Sequence, residues 1–184
     1  MRVLAVLLLL LPACAFAPQA PGYVSDRAVV LTVPAYEQQG RFDCGHATLS
    51  MLFAYYAHRP DPARSEGLRE VAQTRQGASG GELCDFLEAE GFEALLFSGE
   101  LSHEVEGLYY HLDRGRPLLV CIGEGGKEGS RHYVLVVGYD PETRLIFLQD
   151  PARGGVSVAA WQFERAWEPC QRFCLLATPA AKRE

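Results

Sequence analysis

Four residues have the types and settings for nucleophilic acyl chemistry: Cys44, His132, Asp150 and Gln38. Cys44 opens the stretch 44–57, in which Leu49, Leu52, Phe53 and Tyr56 recur at helical spacing, so the thiol stands at a helix N-terminus. Aligned peptide dipoles and unpaired N–H groups favour an anion there, which for a cysteine means the thiolate. His132 begins the most apolar strand of the chain and follows a glycine-rich loop, a setting from which an imidazole can reach into a cleft and move protons. Asp150 ends the next strand, in Gln149-Asp150-Pro151. If the two strands pair, this carboxylate can orient the imidazole and stabilise its charged form. Gln38 lies six residues before the cysteine. Thiolate attack on a carbonyl creates an oxyanion, which a side-chain amide and the Cys44 N–H can hold; Gln39 is the rival for that role. Gly45 permits a close approach of backbone to a substrate. Taken singly, each residue also has an ordinary reading: a buried structural cysteine, a satisfied histidine, an Asp-Pro turn. The ordered set carries the chemical reading.

The elements that must position these residues fall into two groups. Residues 28–33 are apolar and β-branched, a strand ended by Pro34. Helix 44–57 has one buried face, with Asp43 where an N-cap belongs. A second helix starts at Asp61-Pro62. A third starts at Ser79, whose partner Glu82 completes a capping box; Leu83, Phe86 and Leu87 face inward and Gly91 closes it. A short strand at 92–97 and a fourth helix at 102–112 follow. The period then changes to strands at 117–122, 133–139 and 145–148, the last two joined by the turn Asp140-Pro141-Glu142-Thr143 as a hairpin. A short helix at 161–167 and a strand at 172–177 complete the chain. Helices first and strands second make an α+β fold.

In order, the quartet resembles the papain-like superfamily. Val33-Pro34, Gln38, Asp43-Cys44-Gly45, Ala47, Leu49, Met51-Leu52, His132-Tyr133-Val134, Val136, Gly138-Tyr139, Asp150-Pro151 and Gly154 narrow the resemblance. Together they resemble cysteine peptidase family thirty-nine, the bacteriocin-processing peptidases that remove double-glycine leaders. The resemblance runs from about Val33 to Ala177. It implies a papain-like fold, an N-terminal helical part packed on a C-terminal antiparallel β-sheet. It implies Cys44 as nucleophile, His132 as general base and then acid, Asp150 as orienting acid and Gln38 as oxyanion donor. It implies a peptide or protein substrate, association with an export system, and no cofactor. The context departs from the family's, whose domains are usually fused to ABC exporters and work on the cytoplasmic side. Peptidase chemistry therefore carries over more directly than the double-glycine leader does. A non-catalytic peptide- or partner-binding envelope module on the same fold is the alternative, and a transferase or amidase is a third use of the same chemistry.

Composition sets the frame. The 184 residues carry a net charge of −6, against an electrostatic nucleic-acid binder. An acidic surface would weakly favour neutral or basic peptides. Much of the hydrophobicity lies in residues 1–17, where one arginine, an apolar run too short to span a bilayer and small residues form a signal peptide. Leu11-Pro12-Ala13-Cys14 resembles a lipobox, which would anchor the protein to the membrane through a lipidated Cys14; the other cut follows Ala15-Phe16-Ala17. Either predicts a periplasmic or membrane-anchored envelope protein. The expected layout is signal peptide 1–17, linker 18–28, peptidase domain 29–178 and polar tail 179–184. No zinc-ligand spacing occurs, and the loop 123–129 lacks the ending of a phosphate loop. Cys84, Cys170 and Cys174 read as free core cysteines, with a disulfide between Cys170 and Cys174, or from either to Cys84, as the alternative; Cys121 reads as plain core.

Overall fold

Apolar side chains occupy most positions of strands β3 (Leu118–Gly123) and β4 (Arg131–Asp140), in unbroken runs at 118–122 and 133–137. A strand presents alternate residues to opposite faces, so such runs must be covered on both sides. They are. Leu119, Leu135 and Val137 join one core, and Leu118, Val120, Val134 and Val136 join another. The computed structural model describes residues 24–123 and 131–181. The expected signal peptide with Cys14, most of the linker and the glycine-rich loop from residue 124 lie outside the described residues.

The fold is α+β, as expected. Strands β1 (Val29–Val30), β2 (Phe92–Ser98), β5 (Leu145–Asp150), β6 (Gly154–Ala159) and β7 (Phe173–Pro179) complete the sheet. Its order is β2-β7-β3-β4-β5-β6, with β1 paired on β4, and all named pairs are antiparallel. Helices α1 (Cys44–Tyr55), α2 (Pro62–Arg75) and α3 (Gly80–Ala89) cover the first core, through Leu49, Leu52, Leu68, Leu83 and Leu87. Helices α4 (Leu108–Leu112) and α5 (Ala160–Trp167) cover the second, where Phe163 and Trp167 are fully buried.

Local signals explain several boundaries. The Asp61 carboxylate accepts the N–H groups of Ala63 and Arg64, both at 2.9 Å, and starts α2. The Ser79–Glu82 capping box starts α3. Gly91 follows α3 with a φ of +84°, where a side chain would be strained.

Other elements differ from expectation. Helix α1 is buried over most of its circumference instead of one face, because it is wedged between β4 and helices α2 and α3. Helix 102–112 shrinks to its last turn and a half, since Gly107 lies against the Ser102 carbonyl so closely that no Cβ would fit, and the chain turns there. Strand β6 was hidden by two glycines and a serine that mask its alternation. The fold also begins before residue 29. Ser25 is buried and donates its N–H and hydroxyl to the Asp140 carboxylate, at 2.8 and 2.7 Å. Against the opposing effect of burial, these bonds hold Asp140 below the usual carboxylate range.

One irregularity sets the geometry of the whole hairpin. Near the turn, Asp140 faces Leu145, Tyr139 faces Ile146 and Gly138 faces Phe147. Beyond it, Val136 faces Leu148 and Leu135 faces Gln149. Val137 is thus an extra residue, a β-bulge. A regular ladder from the turn would set Asp150 opposite Leu135. The bulge shifts it opposite Val134, onto the face that also carries His132. Strand β1 holds the bulge in place. The Leu31 N–H donates to the Val137 carbonyl at 2.7 Å, and Val30 pairs with Gly138, where a Cβ would collide with the Val29 carbonyl oxygen. Gly138→Ala should therefore displace β1 and destabilise the protein by about 2 kcal/mol. Thermal denaturation should show a Tm lower by about 4–8 °C; an unchanged Tm would mean that the bulge does not need this close approach.

Candidate active site

The first turn of α1 is built to leave its amides open. Asp43 occupies the N-cap position but makes no cap bond. Its buried carboxylate turns instead toward α2, accepting from Gln73 Nε2 at 3.0 Å and Arg69 Nη2 at 3.4 Å. The first-turn N–H groups of α1 thus have no side-chain acceptor among the described residues, and Cys44 stands among them. The Thr48 hydroxyl clamps this turn to the sheet by donating toward the carbonyls of Cys44 (2.7 Å) and Tyr133 (3.2 Å). Gly45 serves packing: a Cβ there would press on Leu83 and Tyr133. The glycine brings the helix close to β4, and the expected approach to substrate is replaced by this contact.

His132 and Asp150 meet as the bulge dictates. His132 Nε2 lies 2.8 Å from Asp150 Oδ1, and both side chains are almost fully buried. The Ala152 N–H also donates to Oδ1 at 2.8 Å, while Arg153 Nε is 3.5 Å from Oδ2. Asp150 occupies Nε2, which leaves Nδ1 as the ring nitrogen open to Cys44. Burial alone would push the imidazole down. The hydrogen bonds and negative charge of Asp150 and Cys44 outweigh it and raise His132 to about 9. Burial would likewise raise Asp150, but the bond and charge of His132 hold it below its ordinary value.

Gln38 is tied to the same corner. Its backbone N–H donates to the Pro151 carbonyl at 2.9 Å, and its Nε2 donates to the Gly40 carbonyl at 3.1 Å. Gln38 lines the cleft with Cys44 and His132. Gln39, the rival, points away: its Oε1 accepts from Arg69 Nη2 at 3.2 Å. The structure therefore brings Cys44, His132, Asp150 and Gln38 together and leaves Gln39 outside. His46 also stays outside, with Nε2 2.8 Å from the Ser65 hydroxyl. Among the described residues, no group of three or more His, Cys, Asp or Glu side chains could hold a metal ion.

The cleft has a volume of about 890 Å³. Phe42, Tyr133 and Phe173 supply apolar wall, and Arg41 and Arg131 supply positive charge. No Asp or Glu lines it among the described residues. The acidic balance of the whole chain, which suggested neutral or basic peptides, is thus reversed at the cleft. Two walls escaped sequence reasoning, residues 76–80 and 170–173. Each contains a glutamine in left-handed backbone, Gln76 and Gln171, a residue type that signals nothing of the kind. Cys121 is buried as expected, and it also lines the cleft, with its sulfur 3.3 Å from that of Cys170.

The model of the Peptidase_C39 like family matches residues 30–174. No curated protein matches the chain. Many solved structures match the chain, among them three that share its fold. A double-glycine-motif protease from an AMS/PCAT transporter, in complex with the leader peptide, aligns with a TM-score of 0.63 and 22% identity, over 82% of this chain and 94% of that one. The peptidase domain of Streptococcus ComA, a bifunctional ABC transporter of a quorum-sensing pathway, gives 0.62 and 19%, over 78% and 96%. A C39-like peptidase from Bacillus anthracis gives 0.61 and 17%, over 85% and 100%.

Linkage fixes how the His132–Asp150 pair responds to pH. A histidine raised in the folded state adds stability that is complete below its unfolded pKa of about 6.5 and disappears as pH rises through about 9. The lowered Asp150 adds stability above about 4 that is lost on acidification. Asp150→Asn should leave burial unopposed by a carboxylate and bring His132 down, by more than one pH unit in an NMR titration of the ring. A His132 titration unmoved by this substitution would show that Asp150 does not set its charge.

Proposed function

We propose that this chain, which belongs to the Peptidase_C39 like family, is a cysteine peptidase that hydrolyses peptide bonds through Cys44, His132, Asp150 and Gln38. The observation that carries the reading is the buried His132–Asp150 pair, whose free imidazole face meets a thiol at an uncapped helix start beside an open cleft. His132 is raised to about 9, which supports it as the base that takes the Cys44 proton and then passes it to the leaving amine.

In this mechanism the Cys44 sulfur attacks the scissile carbonyl carbon. The oxyanion is held by the Cys44 N–H and by Gln38. The Gln38 amide nitrogen carries two hydrogens, of which Gly40 takes one and the substrate oxygen receives the other. His132 Nδ1 then gives its proton to the leaving amine, forming a thioester. Water, deprotonated by the same nitrogen, attacks the thioester and regenerates the thiol. Asp150 keeps the ring oriented throughout and balances its charge.

The substrate is a peptide or a segment of protein. The structurally similar transporter protease was solved with a leader peptide, which supports a peptide in the equivalent cleft and association with an export system. Arg41 and Arg131 favour neutral or acidic side chains near the scissile bond. The N-terminal segment supports placement outside the cytoplasm, with Cys14 as the residue for a lipid anchor.

A thiol-directed epoxide inhibitor should label Cys44 stoichiometrically, as located by peptide mapping. Cys44→Ala and His132→Ala should each lower kcat by about 10⁴-fold or more, and Gln38→Ala by about 10²–10³-fold. An unlabelled Cys44 in reduced, folded protein, together with no peptide hydrolysis, would support a binding module instead. In a peptide library, kcat/KM should be higher for substrates with Asp or Glu beside the scissile bond than for their Lys or Arg counterparts. The preference should shrink in Arg41→Ala and Arg131→Ala; a library optimum at basic residues contradicts the charge argument.

A further inference from the structure

We infer that Cys121 and Cys170 form a reversible disulfide in the wall of the cleft. Cys121 lies on the central strand β3, and Cys170 ends a single 3-10 turn, Glu168–Cys170, that follows α5. The two are 49 positions apart in sequence, yet their sulfurs approach to 3.3 Å in the dithiol form. A disulfide bond is about 2.05 Å long, so a movement of about 1 Å joins them. Both sulfurs belong to residues that line the open cleft, which gives a small oxidant a route to them.

The pairings that the sequence left open are not favoured by the fold. Cys174, four residues after Cys170, is fully buried in the second core, with its sulfur against Gly99. Cys84 is on α3, with its thiol directed at Glu88. The remaining pair has complementary chemistry. Cys121 donates its S–H to the Cys170 sulfur. That bond and the nearby Arg131 charge outweigh burial and bring Cys170 down to about 7, while the same bond and burial push Cys121 up. One member is thus poised to attack and the other to resolve.

The reaction balances with a low-molecular-weight disulfide such as glutathione disulfide as oxidant. The Cys170 thiolate attacks one sulfur of the oxidant, breaking its S–S bond and releasing one thiolate, which takes up a proton. Cys121 then loses its proton and attacks the Cys170 sulfur of the mixed disulfide, releasing the second thiol. Two protein thiols give up two electrons and two protons, and one oxidant disulfide becomes two thiols. The product ties β3 to the turn that leads into Gln171 and Phe173, two residues of the cleft wall.

The inference does not depend on the peptidase reading, because its test counts thiols and not turnover. The full chain and its Cys44→Ser variant are equilibrated with glutathione disulfide, free thiols are blocked with iodoacetamide, and the digest is mapped by mass spectrometry. A linked peptide pair containing Cys121 and Cys170, lighter by two hydrogens and absent after reduction, is the expected result in both proteins. Oxidation should also raise Tm by roughly 5–10 °C, and Cys121→Ser or Cys170→Ser should abolish the rise. Alkylation of both cysteines after oxidation, a persistent glutathione adduct on Cys170, or a Cys170–Cys174 link overturns the inference.

Discussion

The contact between His132 and Asp150 is the interaction on which the rest of the site depends, and a single extra residue in β4 makes it available. Side chains on a strand alternate, so a shift of one position exchanges the faces. Without the Val137 bulge, Asp150 would stand opposite Leu135 and point toward the α1 core. With it, a carboxylate and an imidazole close the end of a row that begins with Val136 and Leu148. Both are buried, so each needs the other: a buried charge without a partner is far more costly than the pair.

The neighbouring parts converge on the same corner. The peptide after Asp150 supplies the carbonyl that takes the Gln38 N–H, and Ala152 supplies an N–H to Asp150 itself. On the opposite side, Asp43 is drawn away from the start of α1 by Gln73 and Arg69, and Thr48 fastens that start to β4. Three surfaces therefore meet: the α1 N-terminus, the β4–β5 end and the 38–40 loop. None is a property of one element. Each is held by bonds to a segment distant in sequence.

The cleft also separates local from global electrostatics. A chain with net charge −6 presents two arginines and no carboxylate among the described residues that line its cleft. Net charge governs long-range behaviour, but screening confines the field felt by a bound peptide to about 8 Å in physiological salt. The described lining therefore differs in sign from the average composition.

Much of the architecture was legible in the sequence because its signals are local. The Asp61 cap, the Ser79–Glu82 box, the Gly91 stop and the apolar runs of β3 and β4 need only their own neighbours to be read. The order Gln38, Cys44, His132, Asp150 can be read along the chain too, since Cys44, His132 and Asp150 sit at or next to element ends. The fold decided what depends on contacts distant in sequence. The Val137 bulge is set by β1 and Gly138, the choice of Gln38 over Gln39 by Pro151 and Arg69, and the turn of Asp43 by α2. The pairing of Cys121 with Cys170 instead of Cys174 arises the same way: strand and turn meet only when β7 returns beside β3. Residue type and spacing specify which groups are available and which elements carry them, whereas face, partner and charge state require the neighbouring chain to be in place.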